Sequence, residues 1–208
     1  MIGDQLLVIS AFDFMNTAQL IIIVKSIFLY ATGSTQTLKH MSGYHLNRAK
    51  ARTALLYVVN EIAGIEEYKL YEVLYFAEQY HILKYGRPIM RDIYEKRTLG
   101  LAPILNCEGM IHDESNNEVK LEDGRVKANK TPDLEELSVS DLECLNLSIK
   151  QNSKGPSMFL ANRDSYQPKD SLNLIEDLDI ALDGKIDAGM LEYFKNYIEN
   201  EFNPELDY

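Results

Sequence analysis

The stretch from Glu67 to Tyr85 constrains this chain more than any other. It holds no proline or glycine, and Gly86 followed by Pro88 closes it. On a helical wheel Leu70, Val73, Leu74, Ala77, His81 and Lys84 fall on one side. Tyr71, Tyr75 and Ile82 fall on a second, Phe76 and Leu83 on a third. A helix apolar on nearly every side has to be enclosed by other elements, because no face of it suits water. The spacing therefore predicts a helix over 67–85 at the centre of a compact, mainly α (α+β) domain.

Shorter signals place the surrounding elements. Asn47 is suited to cap a helix to about Ile62, with Leu55, Leu56, Val59 and Ile62 as its apolar stripe and Gly64 as its end. Ile89, Ile93 and Tyr94 suggest short extended pieces around Asp92. Gly100-Leu101-Ala102-Pro103 reads as a turn, with a short helix from about Ile104. Alternation on both sides of Asp123-Gly124 predicts a β-hairpin over about 118–129. Ser138 with Asp141, or Ser140 with Glu143, resembles a capping box opening a helix to about Gln151. Further helices fit Ser171 to about Ala181 and Ala188 to Glu201, the last with Leu191, Phe194, Tyr197 and Ile198 inward.

The first forty residues differ from the rest. Leu20–Leu29 is apolar apart from Lys25 and Ser26. It falls short of the roughly 20 apolar residues of a spanning helix. Asp4 near the start and Lys25 within the apolar run fit a signal peptide poorly. The segment 1–40 reads as an extension, with a docked helix and a membrane anchor as the other readings. Met41 is then the expected natural start of a single domain over 41–208.

Charge narrows the partners. The formal net charge is −11, and the surplus is confined to residues 131–208, which hold 6 bases and 17 acids. Nucleic acid is disfavoured as a main partner, since phosphate binding needs a basic footprint. Two cysteines, Cys107 and Cys144, are too few for a disulfide framework and point to a reducing, cytoplasmic setting.

Candidate chemistry is sparse. No phosphate-cradling glycine loop and no Cys-x-x-Cys or His-Glu-x-x-His run occurs, so no cofactor is expected. The histidines His40, His45, His81 and His112 are scattered. His81 shares an apolar helix face and reads first as a core histidine. Cys107 and Cys144 read as packing residues. Asp179, Asp183, Gly184, Ile186 and Asp187 fit part of a calcium-loop spacing, but Ala181 and Met190 stand where ligands belong. An acidic turn between helices is the simpler reading. A hydrolase or metal-dependent enzyme would have to use His81, Cys107 or this loop. Lys84, Arg87, Arg91, Lys96 and Arg97 form a small basic cluster, either a solvated face or a partner-binding patch.

One resemblance stands out. Lys69-Leu70-Tyr71-Glu72-Val73-Leu74-Tyr75-Phe76-Ala77 resembles the K-L-x-K-L-L-Y-F-A helix of the Panacea domain, the SocA-like antitoxin family of phage-associated proteins. Tyr80-His81, Tyr85-Gly86-Arg87-Pro88-Ile89 and Asp92-x-Tyr94 match its next segment, and Gly100–Pro103 falls where the family has Gly-Pro-Val-Pro. Leu137–Leu145 looks like its later helix start, and 179–193 like its C-terminal end. Glu72 replaces the family's second helix lysine and Leu101 its first proline. Asn162-Arg163-Asp164-Ser165-Tyr166 stands where members carry a histidine and a tryptophan. The resemblance implies a cytoplasmic, non-enzymatic antitoxin that neutralises a cognate toxin by direct binding, with no cofactor or metal. A basic toxin would suit the acidic end. A proteolysis adaptor or a prophage regulator without a toxin is the alternative. Arg87, Arg91 and Arg97 are the expected contact residues, with Tyr71 and Tyr75 either buried or an aromatic anchor.

Overall fold

A computed structural model of the chain describes residues 48–97, 100–157 and 174–201. Contacts divide the chain into Met1–Tyr44 and His45–Tyr208, and every described residue belongs to the second unit. The expected extension over 1–40, His40, His45, the Asn47 cap, Asn162–Tyr166 and the expected helix start at Ser171 lie outside the described residues.

Helix α1 (Arg48–Glu61) buries Leu55, Leu56 and Val59 of its expected stripe, with Ile62 half-buried just beyond its end. Helix α2 (Glu67–Tyr85) has the predicted bounds and the predicted place at the centre, with side chains buried all around its axis. Gly86 ends it at φ +65°, donating its N–H to the Ile82 carbonyl at 2.9 Å. That left-handed conformation suits glycine, and space demands it too: a Cβ there would lie 2.4 Å from the Tyr193 ring.

The mixed α+β architecture comes from two small antiparallel sheets on this helical frame. In one, β1 (Ile65–Glu66), β5 (Arg125–Ala128) and β4 (Val119–Glu122) run in the order β1-β5-β4. The predicted hairpin is present, with Asp123 and Gly124 at φ +51° and +73°. Two positive φ values make the two-residue turn whose twist matches its strands. In the other sheet β2 (Tyr94–Arg97) lies between β3 (Gly100–Pro103) and β6 (Leu174–Ile175).

Three local expectations are corrected there. Gly100–Pro103 is a strand rather than a turn, because Leu101 and Ala102 are buried opposite Lys96 and Glu95. Pro103 fits at the strand's last position, where its missing N–H costs little. The short helix α3 (Cys107–His112) begins later than Ile104, whose N–H goes to the Ile93 carbonyl. The segment before Asp177 is strand β6, pairing Ile175 with Tyr94, and only then helix α5 (Asp177–Asp183).

Helix α4 (Val139–Asn152) opens on the Ser138–Asp141 capping box and packs along α2, where the Ser148 hydroxyl donates to the Val73 carbonyl at 2.6 Å. Helix α6 (Ala188–Glu201) buries Phe194 and half-buries Leu191, Tyr197 and Ile198. With Tyr75, Ile82, Tyr94, Leu101, Ile175, Ile180 and Ala181, Phe194 forms a core that ties the C-terminal elements to α2. Tyr75 and Tyr94 meet there edge to face, centroids 5.3 Å apart.

Candidate functional site

The polar groups worth examining gather at the C-terminal end of α2, where a core helix carries charged side chains it cannot expose. His81 is fully buried. Its Nδ1 lies 2.6 Å from the Arg87 carbonyl, and a carbonyl only accepts, so Nδ1 carries the proton. Nε2 lies 3.1 Å from the Ser140 hydroxyl and 3.1 Å from Asp141 Oδ1. Asp141, also buried, pairs with Lys50 at 2.7 Å and accepts the Ser138 N–H at 2.8 Å, with Arg87 3.7 Å away. Burial opposes a charge on Asp141. His81, Lys50 and Ser138 outweigh it and hold this carboxyl well below its usual range. Arg87 closes the outer side, donating to the hydroxyls of Ser138 and Ser140.

Ser140, His81 and Asp141 are residue types of a nucleophilic triad, but their arrangement is different. A relay needs the carboxylate on one ring nitrogen and the hydroxyl on the other. Here both share Nε2, Nδ1 is occupied by backbone, and the ring has no exposure. The cluster is a tie that joins α1, α2, the Arg87 loop and the start of α4.

A second buried carboxylate lies one turn back. Glu78 accepts the successive N–H groups of Ile89, Met90 and Arg91 at 2.5, 2.8 and 2.9 Å. This fixes the loop that the sequence suggested was extended, including Arg91 at φ +56°. Burial, the larger influence, raises the Glu78 carboxyl above its ordinary value despite those bonds. Asp92 then accepts the N–H groups of Leu105, Asn106 and Cys107 and so caps α3 from another loop. Its burial lifts its pKa to about 6.

The expected contact residues separate into two groups. Tyr71 and Tyr75 are buried and bond to Glu67 and Asp183 at 2.6 and 3.0 Å, so the aromatic-anchor alternative is removed. Arg91 is buried as well, against the Tyr197 ring and 3.9 Å from Asp177. A contact role for these three is corrected: the core needed their bulk. Arg87 is half-buried and Arg97 exposed, and both are engaged by acids, Arg97 by Glu95 and Glu108. Lys84 pairs with Glu143. The basic cluster is thus interleaved with carboxylates rather than set out as one positive patch.

The acidic loop is likewise spent on local structure. Asp179 accepts the Glu176 N–H, Asp183 the Tyr75 hydroxyl, and Asp187 the Met190 N–H. Among the described residues no group of three potential metal ligands forms. Burial pushes the Cys107 thiol well up and Cys144 to about 11, which keeps both protonated and unreactive. Glu78 and Lys50 were missed in the sequence. The signal for Glu78 was available: an acid on a helix enclosed on all sides must find donors inside. No helix among the described residues is long and apolar enough to cross a membrane. No family model, curated protein or solved structure matches the chain.

Proposed function

We propose that this protein is a cytoplasmic antitoxin that neutralises a cognate toxin by binding it directly. The observation that carries the reading is the resemblance of Lys69–Ala77 with Tyr85-Gly86-Arg87-Pro88 to the antitoxin family, together with what those residues do. They form one interlocked unit: α2, its glycine cap, and Arg87, whose carbonyl accepts from His81 and whose guanidinium donates to Ser138 and Ser140 at the start of α4. Glu72, the departure from the family's second lysine, is buried and pairs with Lys69 at 2.9 Å, so the helix keeps an internal charge balance. The exposed carboxylates of the acidic end, Asp133, Glu135, Glu136, Glu192 and Glu199 among them, suit a basic toxin and would speed its encounter. Both described cysteines are free thiols, in keeping with a reducing compartment.

Co-expression tests the reading. Each product encoded beside this gene is expressed alone and with the protein. Growth arrest by one neighbour, relieved by the protein and accompanied by a co-purifying complex, is the expected result. Relief of no neighbour, or relief without a complex, overturns it.

A further inference from the structure

Strand β4 ends its sheet, and among the described residues no strand pairs with its outer side. The direction of its free groups can be worked out. The Asn129 N–H donates to the Glu118 carbonyl at 2.8 Å, and Lys120 faces Lys127 in the same ladder. Bonded pairs alternate in an antiparallel ladder. Glu118, Lys120 and Glu122 therefore bond to β5, while Val119 and Leu121 turn their N–H and C=O groups outward.

A groove of about 390 Å³ lies against this strand, bounded by Val119, Lys120 and Leu121 and by the end of α3 with the following loop, from Ile111 to Asn116. Side chains alternate between the faces of a strand. A groove touching three consecutive residues therefore runs along the strand's edge and not beneath one face. Ile111 and Val119 are buried in its wall and Leu121 is half-buried.

The rim has a sign. Lys120 and Lys127 share Glu122, at 2.5 and 2.7 Å, and His112 pairs with Glu67 at 2.6 Å. Asp113 and Glu114 are exposed, and the Asp113 carboxylate accepts from the N–H and the hydroxyl of Ser115. Of the residues that bound the groove, Asp113 and Glu114 are acids and Lys120 is the one lysine, so the balance there is negative. A second copy of this chain would bring the same two acids against themselves.

We infer that the groove beside β4 receives an extended, basic segment of a partner protein, which adds to the sheet as a fourth strand. The outward N–H and C=O groups of Val119 and Leu121 hold its backbone, Ile111 and Leu121 take its alternate apolar side chains, and Asp113 with Glu114 selects its bases. This assigns a surface to the binding role proposed above and rests on that reading.

The test uses the full chain and a synthetic peptide of alternating valine and lysine, about eight residues long, a typical strand length. An equal peptide of valine and glutamate, and a lysine peptide N-methylated on the amides that face β4, are the controls. Amide shifts confined to 111–121, with exchange at Val119 and Leu121 slowed by about tenfold or more, are expected for the lysine peptide alone. Equal effects from the glutamate or methylated peptide, or no effect, overturn the inference. Self-association of the chain through β4 in sedimentation also overturns it. Leu121→Pro removes an outward donor together with the leucine side chain in the groove and should abolish binding; where this variant fails to fold, the methylated peptide decides. The two readings fail separately. Toxin relief that survives Leu121→Pro ends the groove inference alone, whereas peptide binding without any neighbouring toxin ends the antitoxin reading alone.

Discussion

Replacing Glu78 probes the best-defined buried polar contact in the molecule. Its carboxylate satisfies three consecutive N–H groups, those of Ile89, Met90 and Arg91, in a place water does not reach. Glu78→Ala leaves all three without an acceptor. An orphaned buried group costs about 1–3 kcal/mol, and partial relaxation of the loop puts the total at roughly 3–6 kcal/mol. That is a large share of the ~5–15 kcal/mol that holds an ordinary domain together. Glu78→Gln keeps one oxygen, best placed where Oε1 now serves Met90 and Arg91. It loses only the Ile89 bond and should cost about 1–3 kcal/mol. Urea unfolding of the three proteins, read as midpoint and slope, checks the order. The glutamine cost should also shrink as pH rises. Burial raises the folded carboxyl above its unfolded value of 4.5, so the wild type's benefit is full below that value and is lost as pH climbs through the folded one. The glutamine variant has no such loss. An alanine cost under about 1 kcal/mol, or equal costs for both variants, would refute the claim that these three bonds hold the loop.

Other expectations follow from the same contacts. Asp141→Asn removes the buried carboxylate that pairs with Lys50 and should cost about 3 kcal/mol in urea unfolding, more than any surface ion pair. Ser138→Ala removes the capping box of α4 and should cost about 1 kcal/mol, with the loss seen in hydrogen exchange of the first turn. Gly86→Ala and Gly124→Ala both force a positive φ, but only the first also meets side chains, those of Tyr193 and Met190. Gly86→Ala should therefore be the costlier by thermal unfolding, and Tyr193→Ala should narrow the gap. Asp92, at about 6 when folded against 3.8 unfolded, stabilises fully below pH ~4 and ceases to as pH rises through 6. A carboxyl carbon resonance titrating near 6, absent in Asp92→Asn, is the check.

How much of this was legible differs by element. The central helix was plain because its evidence is local: unbroken helical residues, apolar character on every side, and a glycine–proline stop within 67–88. The hairpin was plain because Asp123-Gly124 selects its own turn. The start of α4 was plain because Ser138 and Asp141 bond within one turn. Gly100–Pro103 and Leu174–Ile175 were not, since a strand of two or four residues is defined by the neighbour it pairs with, here Tyr94–Arg97. The candidate site divides in the same way. His81 was singled out, but Lys50, Arg87 and Asp141 approach it from three other segments. Arg91 passed for a surface residue because composition marks a side chain as basic without marking which way the fold turns it, and for Tyr75 the sequence left burial and an aromatic anchor both open.

The sequence by itself determined the elements whose stabilising contacts are short-range: the helices and their caps, the tight turn, and the need for α2 to be enclosed. Only the tertiary structure decided what encloses it, which carboxylates lie inside, and that among the described residues no strand pairs with the outer edge of β4, beside a groove. Those outcomes depend on backbone groups and charges brought together across dozens of residues. A buried carboxylate such as Glu78 or Asp141 is tolerated only where that distant backbone supplies donors, and no local pattern records where it will pass.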